Sequence, residues 1–168
     1  MIHIRPERPD DLAAVAHVNE AAFGRYDEAR LVDRLRARVP AYLAFVATLR
    51  DVVVGHIAFT PVTLDPPRPD LDVRGLAPMA VLPDNQRAGV GSALVRAGLD
   101  ACRASGAQAV VVLGHPVFYP RFGFVPADRF GLRSEYDVPP EAFMAQELVP
   151  GALTDIRGTV RYNEAFEG

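Results

Sequence analysis

A single cysteine, Cys102, rules out an internal disulfide and suits a reducing compartment. No apolar run approaches the roughly 20 residues that a helix needs to span a bilayer. The N-terminal Met1-Ile2-His3-Ile4-Arg5 does not read as a signal peptide, so the expectation is a cytoplasmic chain with no membrane partner. The four histidines, His3, His17, His56 and His115, show no metal-ligand spacing with Cys102 or with one another. Basic residues are dispersed and not interleaved with aromatics, and the net charge is −3, which argues against a nucleic-acid partner. With 168 residues, 49% hydrophobic and 23% charged, the chain has the makeup of a soluble globular protein. The length predicts one domain over 1–168, large enough to bury a core.

Against that background one stretch carries chemical information: Gln86-Arg87-Ala88-Gly89-Val90-Gly91-Ser92. An apolar run, Leu76 to Val81, precedes it, and a helical pattern starts near Gly89. Strand, short glycine loop and helix in this order make an anion site, because first-turn helix amides lack intrahelical partners and the dipole favours negative charge there. Gly89 and Gly91 keep side chains away from an approaching phosphate, and Arg87 adds a positive charge. Rival motifs fail on single residues. A phosphate loop of the Gly-Lys-Ser/Thr type lacks its lysine here, and a dinucleotide fingerprint lacks its third glycine, since Leu94 stands there. A nucleophile elbow around Ser92 would need glycines where Val90 and Leu94 stand.

The rest of the chain reads as alternating elements. Ile2 to Arg5 is a strand, followed by a helix capped by Asp in Pro9-Asp10-Asp11 and ending near Gly24. A second helix covers about Asp27 to Arg38. Leu43 to Leu49 and Val52 to Leu64 are β-rich, with a tight turn of open type at Arg50-Asp51. Pro66, Pro67 and Pro69 make a loop, and a strand from about Leu71 leads into the glycine loop. A helix over Val90 to Ser105 comes next, then the fully apolar strand Ala109 to Leu113. A short helix is expected at Phe118 to Phe122, a loop over Asp128 to Pro140, and β-like pieces near Phe143 to Val149 and Thr159 to Tyr162. The expected architecture is α/β: one mixed, mostly antiparallel twisted sheet flanked by helices.

Gln86-x-x-Gly89-x-Gly91 resembles the coenzyme A loop of the GNAT N-acetyltransferase superfamily. A second segment, Leu113-Gly114-His115-Pro116-Val117-Phe118-Tyr119-Pro120-Arg121-Phe122-Gly123-Phe124, is similar to the region beyond the fifth strand in that family. The tail, Phe143 to Leu148, Pro150 to Leu153 and Gly158 to Tyr162, resembles a bacterial subgroup of predicted N-acetyltransferases. The resemblance implies the GNAT fold with splayed central strands and acetyl-CoA as acetyl donor, with no metal. It implies that Met79, Ala80 and Val81 pair with the pantetheine arm while Arg87, Ala88, Gly89, Val90, Gly91 and Ser92 hold the pyrophosphate. An amine then attacks the thioester in a ternary complex, a backbone N–H near Met79 or Ala80 steadies the oxyanion, and Tyr119 protonates the departing thiolate. Phenol and thiol references near 10 and 8.5 make that proton transfer uphill by about 2 kcal/mol. Pro78, lacking an N–H, argues against regular pairing of its strand.

The general base stays unassigned. Leu76 to Val81 holds no carboxylate, and Asp72 and Arg74 precede it; His56, His115, Glu20 and Glu28 each have an ordinary alternative as strand histidine, turn former or helix surface charge, and a water chain to solvent equally removes the proton. Cys102 reads as an inert core thiol, and Ser92 as a hydroxyl that bonds a phosphate or a helix amide, not a nucleophile. The acceptor is an amine-bearing small molecule or a protein amino group. Two other functions share the glycine loop: transfer of a longer acyl chain, and a non-catalytic acyl-CoA sensor that would not need Tyr119. A homodimer through Phe143 to Tyr162 is compatible with the resemblance, though no residue requires it.

Overall fold

In this computed structural model, which describes residues 1–168, the chain divides between two packed units. One comprises Met1–Thr60, Ala77–Gly98 and Glu164–Gly168; the other comprises Pro61–Leu76 and Leu99–Asn163. The strands form a mixed, mostly antiparallel sheet flanked by helices, as the alternating apolar patterns predict. No helix is long and apolar enough to cross a membrane.

The first unit contains β1 (Ile2–Pro6), α1 (Leu12–Phe23), α2 (Asp27–Arg38) and β2 (Leu43–Leu49), with the start of β3 (Val52–Asp65), the end of β4 (Val73–Val81) and most of α3 (Val90–Ala104). β1 and β2 are antiparallel, Ile2 opposite Leu49 and Pro6 opposite Phe45, and β2 pairs antiparallel with β3, Leu43 opposite Phe59. The turn at Arg50-Asp51 puts both residues at positive φ, 51° and 65°, the geometry that matches the twist of a two-residue hairpin without using glycine. The expected cap of α1 is corrected. Asp11 lies in a 3-10 turn, Pro9–Asp11, and makes no side-chain cap to α1. Its carboxylate instead takes a two-pronged ion pair from Arg5 (2.7 and 2.9 Å) and the Arg8 amide at 2.7 Å. Gly24 ends α1 in the left-handed conformation, its N–H reaching Glu20 O at 2.8 Å.

Beneath α1 and α2 lies a buried polar group that the sequence does not announce. His56 is fully buried on β3, and its Nε2 stands 2.9 Å from Glu7 Oε1. Arg36 donates from Nε and Nη2 to the two oxygens of Glu7, at 2.9 and 3.0 Å, and the Tyr42 hydroxyl donates to Oε1 at 3.0 Å. A carboxylate accepts only, so the imidazole proton belongs on Nε2, leaving Nδ1 to face Asn19 Nδ2 at 3.5 Å. Burial opposes the charge on Glu7, but hydrogen bonds from His56 and Arg36 outweigh it and hold the carboxyl at about 2. The chain end also docks in this unit. Ala165 and Phe166 pack with Leu31, Leu35 and Val39, and Arg34 Nε donates to Ala165 O at 3.0 Å.

The second unit is built around β5 (Ala109–Leu113), which pairs parallel with the start of β4 and antiparallel with β8 (Phe143–Glu147). The parallel pair joins through α3, the crossover that parallel strands require. Residues 109–112 are buried on both faces, which is why their sequence is apolar without alternation. β6 (Val125–Pro126) adds to β8, and β9 (Gly158–Arg161) lies between the end of β3 and β7 (Leu132–Ser134). β7 corrects the expected loop over 128–140. Three residues are too few to show a period, and only the parallel partner β9 defines the strand.

Glu7 has a lower pKa folded, about 2, than the ordinary 4.5. Its carboxylate therefore contributes stability in full above about pH 4.5, and that contribution is lost as pH falls toward 2. Glu7→Gln removes the charge that faces the half-buried Arg36 and leaves it only Asp33 as an ion-pair partner, so it should cost about 1–2 kcal/mol at pH 7. It should also flatten the loss of Tm on acidification below about pH 4.5, as read by thermal melts across pH. An unchanged melt at pH 7 would show that the network contributes nothing.

Candidate active site

The stretch from Met79 to Ser92 lies in the first unit and forms one continuous strand, loop and helix start. Parallel pairing of β4 with β5 runs from Val73 opposite Ala109 to Leu76 opposite Val112 and ends there, whereas β4 itself continues to Val81. Met79, Ala80 and Val81 follow that paired stretch. Ala80 is buried; Met79 and Val81 are half-buried.

Past Val81 the chain is held by short bonds. Leu82 N–H donates to Val54 O at 2.9 Å, a 3-10 turn follows at Pro83–Asn85, and Gln86 Nε2 reaches back to Val81 O at 3.1 Å. Gln86 thus ties the end of the strand to the loop. Arg87 and Gly89 both adopt positive φ, 62° and 86°. The turn exposes Gln86, Arg87, Ala88 and Gly89, and a Cβ built on Gly89 would find no atom within 4 Å. Arg87 forms no ion pair within the chain. Gly89 O accepts from Ala93 N–H at 3.0 Å, so Gly89 is the residue that opens α3. The amides of Val90, Gly91 and Ser92 consequently have no carbonyl four residues back inside the helix. Val90 is buried against β3, where Gly55 leaves room for it: a Cβ on Gly55 would stand 2.8 Å from Val90 Cγ1. Open space, first-turn amides and an unpaired arginine together suit a phosphate-bearing ligand.

Tyr119 belongs to the second unit, at the start of the 3-10 turn Tyr119–Phe122. Its ring is buried, 7% exposed, edge-on to Phe118 and Phe124 with centroids 5.0 and 5.7 Å away. Burial pushes its phenol up to about 12, so the hydroxyl keeps its proton at neutral pH.

The structure encloses one candidate base and gives Glu28 and Asp72 ion-pair partners. His56 does not line an open cleft; it is enclosed with Glu7 and Asn19. Glu28 pairs with Arg25 at 2.7 Å, and Asp72 with the buried Arg74 at 2.7 Å. The exposed His115 shapes the turn before Tyr119, its carbonyl accepting from Phe118 and Tyr119 N–H. Cys102 is a core thiol, pushed up to about 12 by burial. Sequence reasoning passed over Gly55 and Gly114; the only signal was a glycine within or directly after an apolar strand.

Comparison with known proteins identifies the family. Residues 3–127 match the acetyltransferase (GNAT) domain family. The chain is 37% identical over 164 residues, 97% of each chain, to an uncharacterized N-acetyltransferase, YhbS, of Escherichia coli strain K12. The crystal structure of E. coli YhbS, a GNAT family N-acetyltransferase in complex with CoA, superposes with a TM-score of 0.92 at 35% identity, covering 99% of this chain and 92% of that one. A GNAT family acetyltransferase from Brucella melitensis in complex with acetyl-CoA gives 0.80 at 35% identity, over 99% and 98%.

Gly89→Ala should cost about 1–2 kcal/mol of stability, because an L residue is strained at that positive φ. No atom stands in the way of the methyl group, so the loss is conformational alone. A thermal melt indistinguishable from wild type would mean that the loop relaxes to another geometry.

Proposed function

Because this chain belongs to the GNAT acetyltransferase family, we propose that it transfers an acetyl group from acetyl-CoA to a primary amine by direct attack within a ternary complex. The whole of 1–168 serves as one acetyltransferase domain in this reading, and the acceptor is an amine-bearing small molecule or a protein amino group. The observation that carries it is the exposed loop from Gln86 to Gly89, which leads into the amides of Val90, Gly91 and Ser92. Two relatives of similar sequence whose structures contain CoA and acetyl-CoA support the same ligand.

In this mechanism Arg87, Ala88, Gly89, Val90, Gly91 and Ser92 hold the pyrophosphate through backbone N–H groups and the Arg87 charge. Met79, Ala80 and Val81 align the pantetheine arm with backbone groups beyond the β5 register. The donor supplies an acetyl thioester. As the amine nitrogen bonds to its carbonyl carbon, charge gathers on the oxygen, and an N–H near Met79 or Ala80 steadies it. The carbon–sulfur bond then breaks, Tyr119 gives its proton to the departing sulfur, and the amine loses a proton to solvent. Burial makes Tyr119 a weaker acid. The transfer is therefore uphill by at least the reference gap of about 2 kcal/mol.

Calorimetric titration with acetyl-CoA tests the cradle. Wild type should bind in the micromolar range, and Gly91→Glu should abolish binding by placing bulk and negative charge against the phosphates. Retained tight binding in that variant would overturn the assignment. Tyr119→Phe should keep acetyl-CoA affinity within about twofold and slow thiol release at least tenfold, within the ordinary span of acid catalysis. Unchanged turnover would remove Tyr119 from the chemistry.

A further inference from the structure

The Tyr119 ring rests on an absent side chain. Gly114 follows β5 directly, and a Cβ built there would stand 2.5 Å from Tyr119 Cε2 and 3.2 Å from Cδ2. No Cβ tolerates 2.5 Å to a ring carbon, so any larger residue forces the ring to swing or the turn to open. The ring itself has little freedom. Phe118 and Phe124 pack against it in T-shaped pairs at 5.0 and 5.7 Å, and its Cε2 side fills the space beside Gly114. That space is also held from below, since Gly114 N–H donates to Ala142 O at 2.9 Å, fixing the backbone of residue 114 beside the start of β8. Gly114 is not among the residues at positive φ, so its backbone conformation does not demand glycine. The ring does.

We propose that Gly114 is a positioning residue for the proton donor: the missing side chain is the slot that aims the Tyr119 hydroxyl. The inference rests on the reading of Tyr119 as donor to the departing thiolate. With Phe118 and Phe124 packed edge-on and the space of a residue-114 side chain taken by the ring, van der Waals shape sets the aim of the hydroxyl. A displacement of about 1 Å is enough to lose a proton transfer, which requires heavy atoms within roughly 2.6–3.2 Å.

The test needs no acceptor. A hydroxyl that donates to sulfur lowers the pKa of bound coenzyme A thiol, so coenzyme A binding tightens with rising pH while acetyl-CoA, which has no thiol, does not share the trend. The readout is the ratio of the two dissociation constants by calorimetry from pH 6 to 9. In wild type the ratio should move about tenfold in favour of coenzyme A for each unit by which the bound thiol pKa is lowered. Tyr119→Phe should flatten it. Gly114→Ala should flatten it equally while leaving acetyl-CoA affinity within twofold, and adding Gly114→Ala to Tyr119→Phe should change the slope no further. A wild-type slope in Gly114→Ala beside a flat Tyr119→Phe would overturn the role of Gly114 alone. A wild-type slope in Tyr119→Phe would overturn the donor itself. Should Gly114→Ala melt too early to titrate, the pair Gly114→Ala with Tyr119→Leu should recover stability, because the shorter side chain vacates the slot. Failure of that pair to recover would show that residue 114 serves the turn and not the ring.

Discussion

Strand β4 runs on past the stretch that is paired with the short strand β5, and its far half carries the chain into the glycine loop. From Val73 to Leu76 its backbone is matched residue for residue with β5, inside a core of Val111, Ala109 and Phe143. From Ala77 to Val81 no β5 residue is in register with it. Backbone N–H and C=O groups need partners, and a strand carried beyond its neighbour must find them in water, in other chain segments or in a ligand. Pro78, with no N–H, falls in this second half, where a continuous ladder would lose a bond. The same strand delivers the chain into the loop at Gln86, whose side chain fastens the loop to Val81.

Close approach is the second constraint, and it is met by leaving out side chains. Gly55 admits Val90 and Leu94, bringing α3 onto β3; Gly98 admits the Phe59 ring from the helix side; Gly75 admits Val62 and Tyr162; Gly114 admits Tyr119. In each case the displaced neighbour is a side chain packed at van der Waals contact, so a methyl group there is felt as overpacking. These glycines work by volume. Gly24 and Gly89 work by conformation, with positive φ and nothing within 4 Å of a would-be Cβ.

The buried group of Glu7, Arg36, Tyr42 and His56 has a different logic. Burying a carboxylate and a guanidinium is costly, and only full pairing makes it tolerable. Glu7 accepts from three side chains at 2.9 to 3.0 Å, with Oε1 taking three of the four bonds. That pairing is the physical reason to treat Glu7 and His56 as the internal brace between β1, α2 and β3 and not as a proton acceptor for catalysis.

Much of this was legible in residues close together along the chain. The helix stops at Gly24, the strand at Ala109–Leu113 and the turn before α3 all follow from backbone preference and local apolar pattern, which act over a few positions. The glycine loop was legible for the same reason, since a helix start and two small residues are adjacent in sequence. β7 was illegible because three residues show no period, and the cap expected of Asp11 failed because Arg5 offered its carboxylate a stronger partner. His56 illustrates the divide most plainly: its alternation with apolar neighbours was visible, but its partners lie 49, 37 and 14 positions away. By itself the sequence determined the longer helices and strands, their order and the glycine-rich entry to α3. Only the tertiary structure decided which buried charges pair, which glycines make room for which rings and where β4 runs on past β5, because those outcomes depend on shape and distance between residues the chain keeps far apart.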